Sequence, residues 1–339
     1  VPGYLDELAA RLVAAGAPGA VIAIGDEYGV AGEAQRDAVA MSADVRTDAG
    51  SVTKILGTTA TLMALVDVGE LTVDDPVRRG HPATVADLLE HRAGLWEWWP
   101  LYLTATGSDA VDLIGRLPLR YPPGEARHYS DLGLILLGDL IERVTGRPLE
   151  EAVTALALRP FGLTATSFRT PRPGGPVAAS SYGDRIEQTM IATGDPYPVA
   201  GDVADFPRWR RHVLVGEVND GNAFHAFGGA AGHAGLFTTA ADLIRFARGM
   251  LRSLAGDGPV STATARRFVT PGADPMQALG FRRWGDVIGH TGFPGVAVGF
   301  DPGRDLAVAM ITNRLHADGP PAATEQMWTT VLQEAQACG

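Results

Sequence analysis

The chain has 339 residues, 46% of them hydrophobic and 20% charged, and a formal net charge of −11. That is enough chain for a large core, in one domain or two intimate ones, with the composition of a soluble globular protein. The acidic balance excludes a sequence-independent nucleic-acid binder, which needs a basic face, and no apolar run reaches the roughly 18 residues that cross a bilayer.

Residues 1–19, "VPGYLDELAARLVAAGAPG", read as a short amphipathic helix. They lack the basic n-region of a signal peptide, which favours a cytoplasmic location; a leader already removed fits the same residues. "AVIAIGD" (20–26) and "YGVAGEA" (28–34) form an apolar hairpin with a tight turn at Asp26-Glu27. A helix runs from Ser51 to about Val68 and stops at Gly69. Thr84 and Asp87 stand at capping-box spacing and open another. "SDLGLILLGDLIERVTG" (130–146) is a helical pattern closed by glycine. Residues 165–225 carry many Gly, Pro and Thr with little periodicity and read as long loops. Thr239 and Asp242 cap a helix over 238–251. "LGFRRW", "DVIGHTG", "GVAVGFD" and "LAVAMITN" follow as an antiparallel meander, joined by the short turns "WGD" and "DPGRD". A last helix covers about 321–335, and the single cysteine, Cys338, leaves no internal disulfide or cysteine-based metal site.

Strand-rich ends thus bracket a helical middle. The economical architecture is an α/β (α+β) fold: one antiparallel sheet built from both termini, flanked by helices, with an inserted all-helical subdomain. The reading is a single domain over 1–339, with the sheet in 1–50 and 235–339 and the helical insert in 51–234. A site belongs in the cleft where insert meets sheet.

Of the 28 Lys and Arg residues, Lys54 is the one lysine. Arginine cannot usefully deprotonate in a protein; lysine can, if burial or a nearby cation lowers its pKa. A lone lysine among arginines is what a required amine looks like, although a rare residue also survives without a role. Ser51 lies three residues earlier, on the same helical face and at the helix N-terminus, near unpaired N–H groups. A hydroxyl beside an amine base is one arrangement for nucleophilic catalysis. The plainer reading of Ser51 is a helix cap, and S-x-x-K alone is a weak motif.

Two further motifs follow in order. Tyr129-Ser130-Asp131 lies in "PPGEARHYSDLGLILLGDLIERVTG", and His290-Thr291-Gly292 lies in "GHTGFPG" on an expected strand. With "GGAAGHAGLFTTAADLIRF" (228–246), these make the chain resemble the penicillin-recognising serine hydrolases, in their class C β-lactamase and esterase branch, over nearly its whole length. That group combines S-x-x-K with Y-x-N and with K-T-G or H-T-G, so the resemblance implies the β-lactamase/transpeptidase-like fold. Asp131 stands where Asn is usual; a carboxylate there pairs with Lys54 and raises its pKa, or favours a substrate with a positive or hydroxyl group. His290 stands where K-T-G has lysine, removing the fixed charge that holds β-lactam and D-Ala-D-Ala carboxylates. A rival register makes Ser130 the second catalytic hydroxyl; the flanking "PPGE" and helix favour Tyr129.

The resemblance implies that Ser51 attacks an ester, thioester or amide carbonyl while Lys54 and Tyr129 share the base role. The N–H groups of Ser51 and Phe293 form the oxyanion hole, with Asp131, His290, Thr291 and Gly292 around the substrate. The expected function is serine acyl transfer on a small-molecule acyl donor, to water, an amine or an alcohol, with no cofactor. The alternatives are a D-Ala carboxypeptidase or weak β-lactamase, and a non-catalytic acyl-peptide or β-lactam binder.

The aromatic run "GLWEWWPLYL" offers Trp96 and Trp98, with Trp99 and Tyr102, as a pocket wall for a bulky substrate, or as plain packing. His225 and His233 lack metal-ligand spacing, so no metal is expected; His233 reads as a loop hydrogen-bonder. His91 and Arg92 end a helix and satisfy its last carbonyls.

Overall fold

The computed structural model describes residues 3–78, 82–169, 175–320 and 322–337; Cys338 lies outside them. The strands are β1 (Gly19–Ile24), β2 (Glu27–Gln35), β3 (Val39–Ala40), β4 (Thr47–Asp48), β5 (Ala179–Tyr182), β6 (Val213–Val215), β7 (Phe237–Thr238), β8 (Arg282–Trp284), β9 (Val287–Gly292), β10 (Val296–Asp301) and β11 (Leu306–Thr312). One seven-stranded sheet runs in the order β3-β2-β1-β11-β10-β9-β8. Its N- and C-terminal parts join where β1 pairs antiparallel with β11, Val21 opposite Ile311.

The period-two alternation of these strands sorts the core into two layers. Ala20, Ile22, Val308 and Met310 face the terminal helices Tyr4–Ala14 and Thr324–Ala337, against Leu8, Leu12, Trp328 and Val331. Val21, Ala23, Ala309 and Ile311 face the other way, into a larger core with Phe246 and Met250 of the helix Ala240–Ala255. Each such large apolar side chain contributes about 1.5–3 kcal/mol by leaving water. The central strands are therefore apolar on both faces, as their continuous hydrophobic runs require.

The hairpin turn is Gly25-Asp26, one residue earlier than expected, because Ile24 pairs with Glu27. The expected helix from Ser51 is composite: a 3₁₀ turn at Gly50–Val52, a widened π turn at Lys54–Thr59, then the α-helix Ala60–Asp67. Thr84 and Asp87 form their capping box, but that helix ends at Leu89, and His91 has left-handed backbone with φ 56°. The helix Asp131–Thr145 carries Ser130 as its N-cap and Gly146 as its C-cap.

Residues 165–225, read as loops, hold the helix Arg185–Thr193 and the β5–β6 ribbon. The helix buries only Ile191, so it carries little hydrophobic period. The ribbon's register is interrupted and β6 buries only Leu214, so alternation is faint there too.

Candidate active site

The site begins with β4 and β7, which pair through Asp48 and Phe237. Ala49 N–H donates to the Leu236 carbonyl, so the chain enters the Ser51 turn from a fixed strand. Asp48 accepts from the N–H groups of Gly50 (2.8 Å) and Asn219 (2.6 Å), tying the turn to a distant loop. Gly50 has φ 50°, and a Cβ there would meet Pro294 Cδ at 2.4 Å. Only glycine takes this conformation and this approach at little cost. The end of β9 closes on the turn from the other side: a Cβ on Gly292 would lie 2.3 Å from the Ala49 carbonyl.

Lys54 is almost wholly buried, at 1% exposure. Its Nζ donates to Ser51 Oγ at 2.8 Å and to the His233 carbonyl at 3.3 Å, and lies 2.7 Å from Asp131 Oδ1. Tyr129 contacts both partners: its phenol interacts with Lys54 and Ser51, and the Lys54 ammonium lies 5.0 Å from its ring centroid. Burial by itself favours a neutral amine, but Asp131, with Tyr129, outweighs it and holds Lys54 above the usual lysine range. Burial raises the Tyr129 phenol, against the opposing charge of Lys54. Lys54 in this resting arrangement is thus a cation that donates to Ser51.

Tyr129 is held from behind by His91. The two rings lie 4.6 Å apart, and Ser130 N–H donates to His91 Nδ1 at 3.0 Å. The His91 carbonyl accepts from His128 N–H, so one residue clamps both flanks of Tyr129. Burial keeps His91 neutral, well below its ordinary pKa, which leaves Nδ1 free to accept. Ser130 Oγ accepts from Gly133 N–H and donates to the Trp96 carbonyl; it is a buried cap rather than a second hydroxyl beside Ser51.

His290 is also buried, and its pKa is pushed down to about 3, first by burial and then by Lys54. Its Nδ1 faces its neighbour's Thr291 carbonyl at 2.6 Å, and its ring centre lies 6.0 Å from that of Tyr129. It therefore carries no charge at neutral pH.

A cleft of about 270 Å³ opens over Ser51, lined also by Tyr129, Asp131, Trp98 and Phe293. His290, Thr291 and Gly292, expected around the substrate, sit on β9 and are not among its lining residues. Trp96 is turned into packing: it meets Trp99 and Tyr197 edge-on, lies over Arg120, and donates to the Pro118 carbonyl. Tyr102 packs with Phe206 and Trp209. His225 and His233 are engaged separately, with Asp184 and Asp220, each at 2.9 Å.

Four more acidic side chains line the cleft, Asp48, Asp184, Glu187 and Asp220. None of these was marked by spacing or motif. Glu187 and Asp220 fall in the stretch without periodicity, and Asp48 precedes the Ser51 motif without belonging to it.

This geometry accords with comparison to known proteins. The family model "Beta-lactamase" matches residues 5–330. The chain belongs to the β-lactamase family. A relative in Bacillus subtilis (strain 168), an N-acetylmuramyl-L-alanine amidase, is 29% identical over 365 residues, covering 92% of this chain and 80% of that protein. A putative D-alanyl-D-alanine carboxypeptidase of Escherichia coli (strain K12) is 29% identical, covering 85% and 73%. Among solved structures, EstCE1, described as a hydrolase with promiscuous acyltransferase activity, superposes with a TM-score of 0.72 at 19% identity, over 98% of this chain and 97% of that one. This β-lactamase-family chain is a serine hydrolase with the fold of that group.

Proposed function

We propose that the protein transfers an acyl group through an ester on Ser51, taking an ester or amide donor and passing the acyl group to water, an amine or an alcohol. The observation that carries this reading is Ser51 Oγ, 2.8 Å from the amine of the buried lone lysine and in contact with Tyr129. Ser51 Oγ forms a bond to the acyl carbon, and the carbonyl oxygen takes up charge towards the N–H groups of Ser51 and Phe293. The Ser51 hydroxyl proton passes to Lys54 as Lys54 hands one of its own to the Asp131 carboxylate 2.7 Å away, so the Lys54–Tyr129–Asp131 group takes up one proton. That group returns a proton to the departing alcohol or amine as its bond to the acyl carbon breaks. The acceptor then repeats the sequence in reverse and frees Ser51.

The neutral His290 supports an ester or amide donor over one anchored by a carboxylate, since it supplies no cation. The test uses p-nitrophenyl esters of rising chain length, following chromophore release and intact mass. Ser51→Ala and Lys54→Arg should each reduce turnover by about 10³-fold or more. A transient acyl adduct should map to Ser51. Turnover that survives in Ser51→Ala overturns the reading.

A further inference from the structure

The segment 96–99 borders the cleft without belonging to a helix or strand, so no ladder of its own holds it. Every carbonyl in it is nevertheless taken by a donor from another part of the chain. Ser130 Oγ donates to Trp96 at 2.6 Å, and Asp131 N–H donates to Glu97 at 2.9 Å. The Tyr197 hydroxyl donates to Trp98 at 2.6 Å, and Asn222 Nδ2 donates to Trp99 at 2.8 Å. The first two donors belong to the motif that holds Tyr129. The other two come from the stretch read as loops, where neither was marked in sequence.

Trp98 is the member of this segment that lines the cleft with Ser51. A single atom closes both polar groups of its backbone. Trp98 N–H donates to the Tyr197 hydroxyl at 2.8 Å, and the same hydroxyl donates to the Trp98 carbonyl. A hydroxyl has one proton to give and lone pairs to receive with, and these two bonds use both. Trp98 and Tyr197 are both buried, and burial pushes the Tyr197 phenol up to about 12, so it stays a donor.

Tyr197 is itself fixed. The Arg120 guanidinium lies 3.8 Å from its ring centre, Trp96 meets the ring edge-on, and Arg120 pairs with Glu97 at 2.8 Å. Trp98, Ile186 and Met190 give the cleft apolar surface, where an acyl chain leaves water. A wall tied in this way does not yield to a longer chain.

We propose that Tyr197 is a positioning residue that fixes Trp98 and, through it, limits the length of acyl chain the cleft admits. This rests on the acyl-transfer reading of Ser51. Removing the hydroxyl strands a buried N–H and a buried carbonyl on Trp98, which regain partners by moving towards water. Trp98 then leaves its place while the ring at 197 keeps its packing.

The test takes kcat/KM for p-nitrophenyl octanoate over that for p-nitrophenyl acetate. Tyr197→Phe should raise this ratio by at least about 10-fold over the unaltered chain. Trp98→Ala should raise it at least as far. Adding Tyr197→Phe to Trp98→Ala should change it by less than about 3-fold, because the hydroxyl acts through Trp98. A purely structural loss lowers both esters alike and leaves the ratio in place. Arg120→Met frees the Tyr197 ring but keeps both bonds to Trp98, and should raise the ratio by about 3-fold, which serves as the test where Tyr197→Phe folds poorly. If acetate turnover depends on Ser51 and the ratio is unmoved, or moves equally without Trp98, the positioning proposal is wrong and acyl transfer stands. If acetate turnover is absent or survives Ser51→Ala, the acyl-transfer reading fails. Calorimetry then decides the positioning role. Octanamide should bind at least about 10-fold tighter to Tyr197→Phe than to the unaltered chain, and equal affinities overturn the proposal.

Discussion

Lys54 and Asp131 set the resting protonation of the site. A buried lysine alone tends towards neutrality, but a carboxylate at 2.7 Å reverses this and keeps the ammonium. Lys54 then accepts a proton only at higher pH, or after its own proton moves towards Asp131. Replacing Asp131 by Asn removes the charge and lowers the Lys54 pKa. The acid limb of the kcat/KM profile for an uncharged ester should therefore move to lower pH by about 1–3 units in Asp131→Asn. An unmoved limb would show that Lys54 is not the titrating group. His91 is a positioning residue in this scheme, since it touches Tyr129 and its flanks rather than the reacting atoms. His91→Ala should lower kcat by about 10²-fold with a smaller change in KM. His91→Asn should recover much of it, because Asn tolerates left-handed backbone and offers an acceptor to Ser130 N–H.

At the scale of elements, the site depends on three segments crossing at close range. The π turn Lys54–Thr59, the helix Asp131–Thr145 and the glycine-rich loop meet around Gly232. Thr58 Oγ1 donates to the Gly232 carbonyl at 2.6 Å, and the next carbonyl, of His233, receives Lys54. A Cβ on Gly232 would lie 2.0 Å from the Leu134 carbonyl, which is helix backbone and cannot turn aside. Gly232→Ala must push the loop away, taking the His233 carbonyl from Lys54. It should cost about 1–3 kcal/mol of stability, read as a lowered Tm, and lower kcat in the same variant. A variant with wild-type Tm and activity would mean the crossing is looser than drawn. The resemblance to the glycine-rich turn of the family marked this loop in sequence, but not which glycine makes the crossing.

The whole molecule carries its acid groups unevenly, with several buried around one cleft, and this shapes its stability. A neutral buried His290, at about 3 against an ordinary 6.5, and His91 bind fewer protons folded than unfolded. They add stability as pH rises towards 6.5. Asp48, raised to about 6, and Glu187, raised to about 8, bind more protons folded than unfolded, so they remove stability as pH rises through those values. Below pH 6.5 the two sets oppose one another. Between about pH 6.5 and 8, Glu187 is the group of this set still titrating. Tm should fall across that interval, and Glu187→Gln should flatten the fall. A decline of equal slope in the variant would place the effect elsewhere.

Local chemistry was enough to mark the ends of the fold and the serine–lysine pair. The sheet strands announce themselves as apolar runs separated by short turns, Thr84 and Thr239 as caps, and Lys54 by being alone. These signals are carried by neighbours within a turn or two, so they survive in a linear reading. The acidic residues of the cleft do not. Asp48, Glu187 and Asp220 come from a strand, a nearly exposed helix and a loop, and nothing in their sequence neighbours distinguishes them from surface acids. The same holds for Trp96 and Trp98, two positions apart: one is packed on Arg120 and Tyr197, and the other faces the cleft. By itself the sequence determined the family, the sheet and the serine–lysine pair. Only the tertiary structure decided which charges share the cleft, because counter-charge and burial depend on residues far apart in the chain.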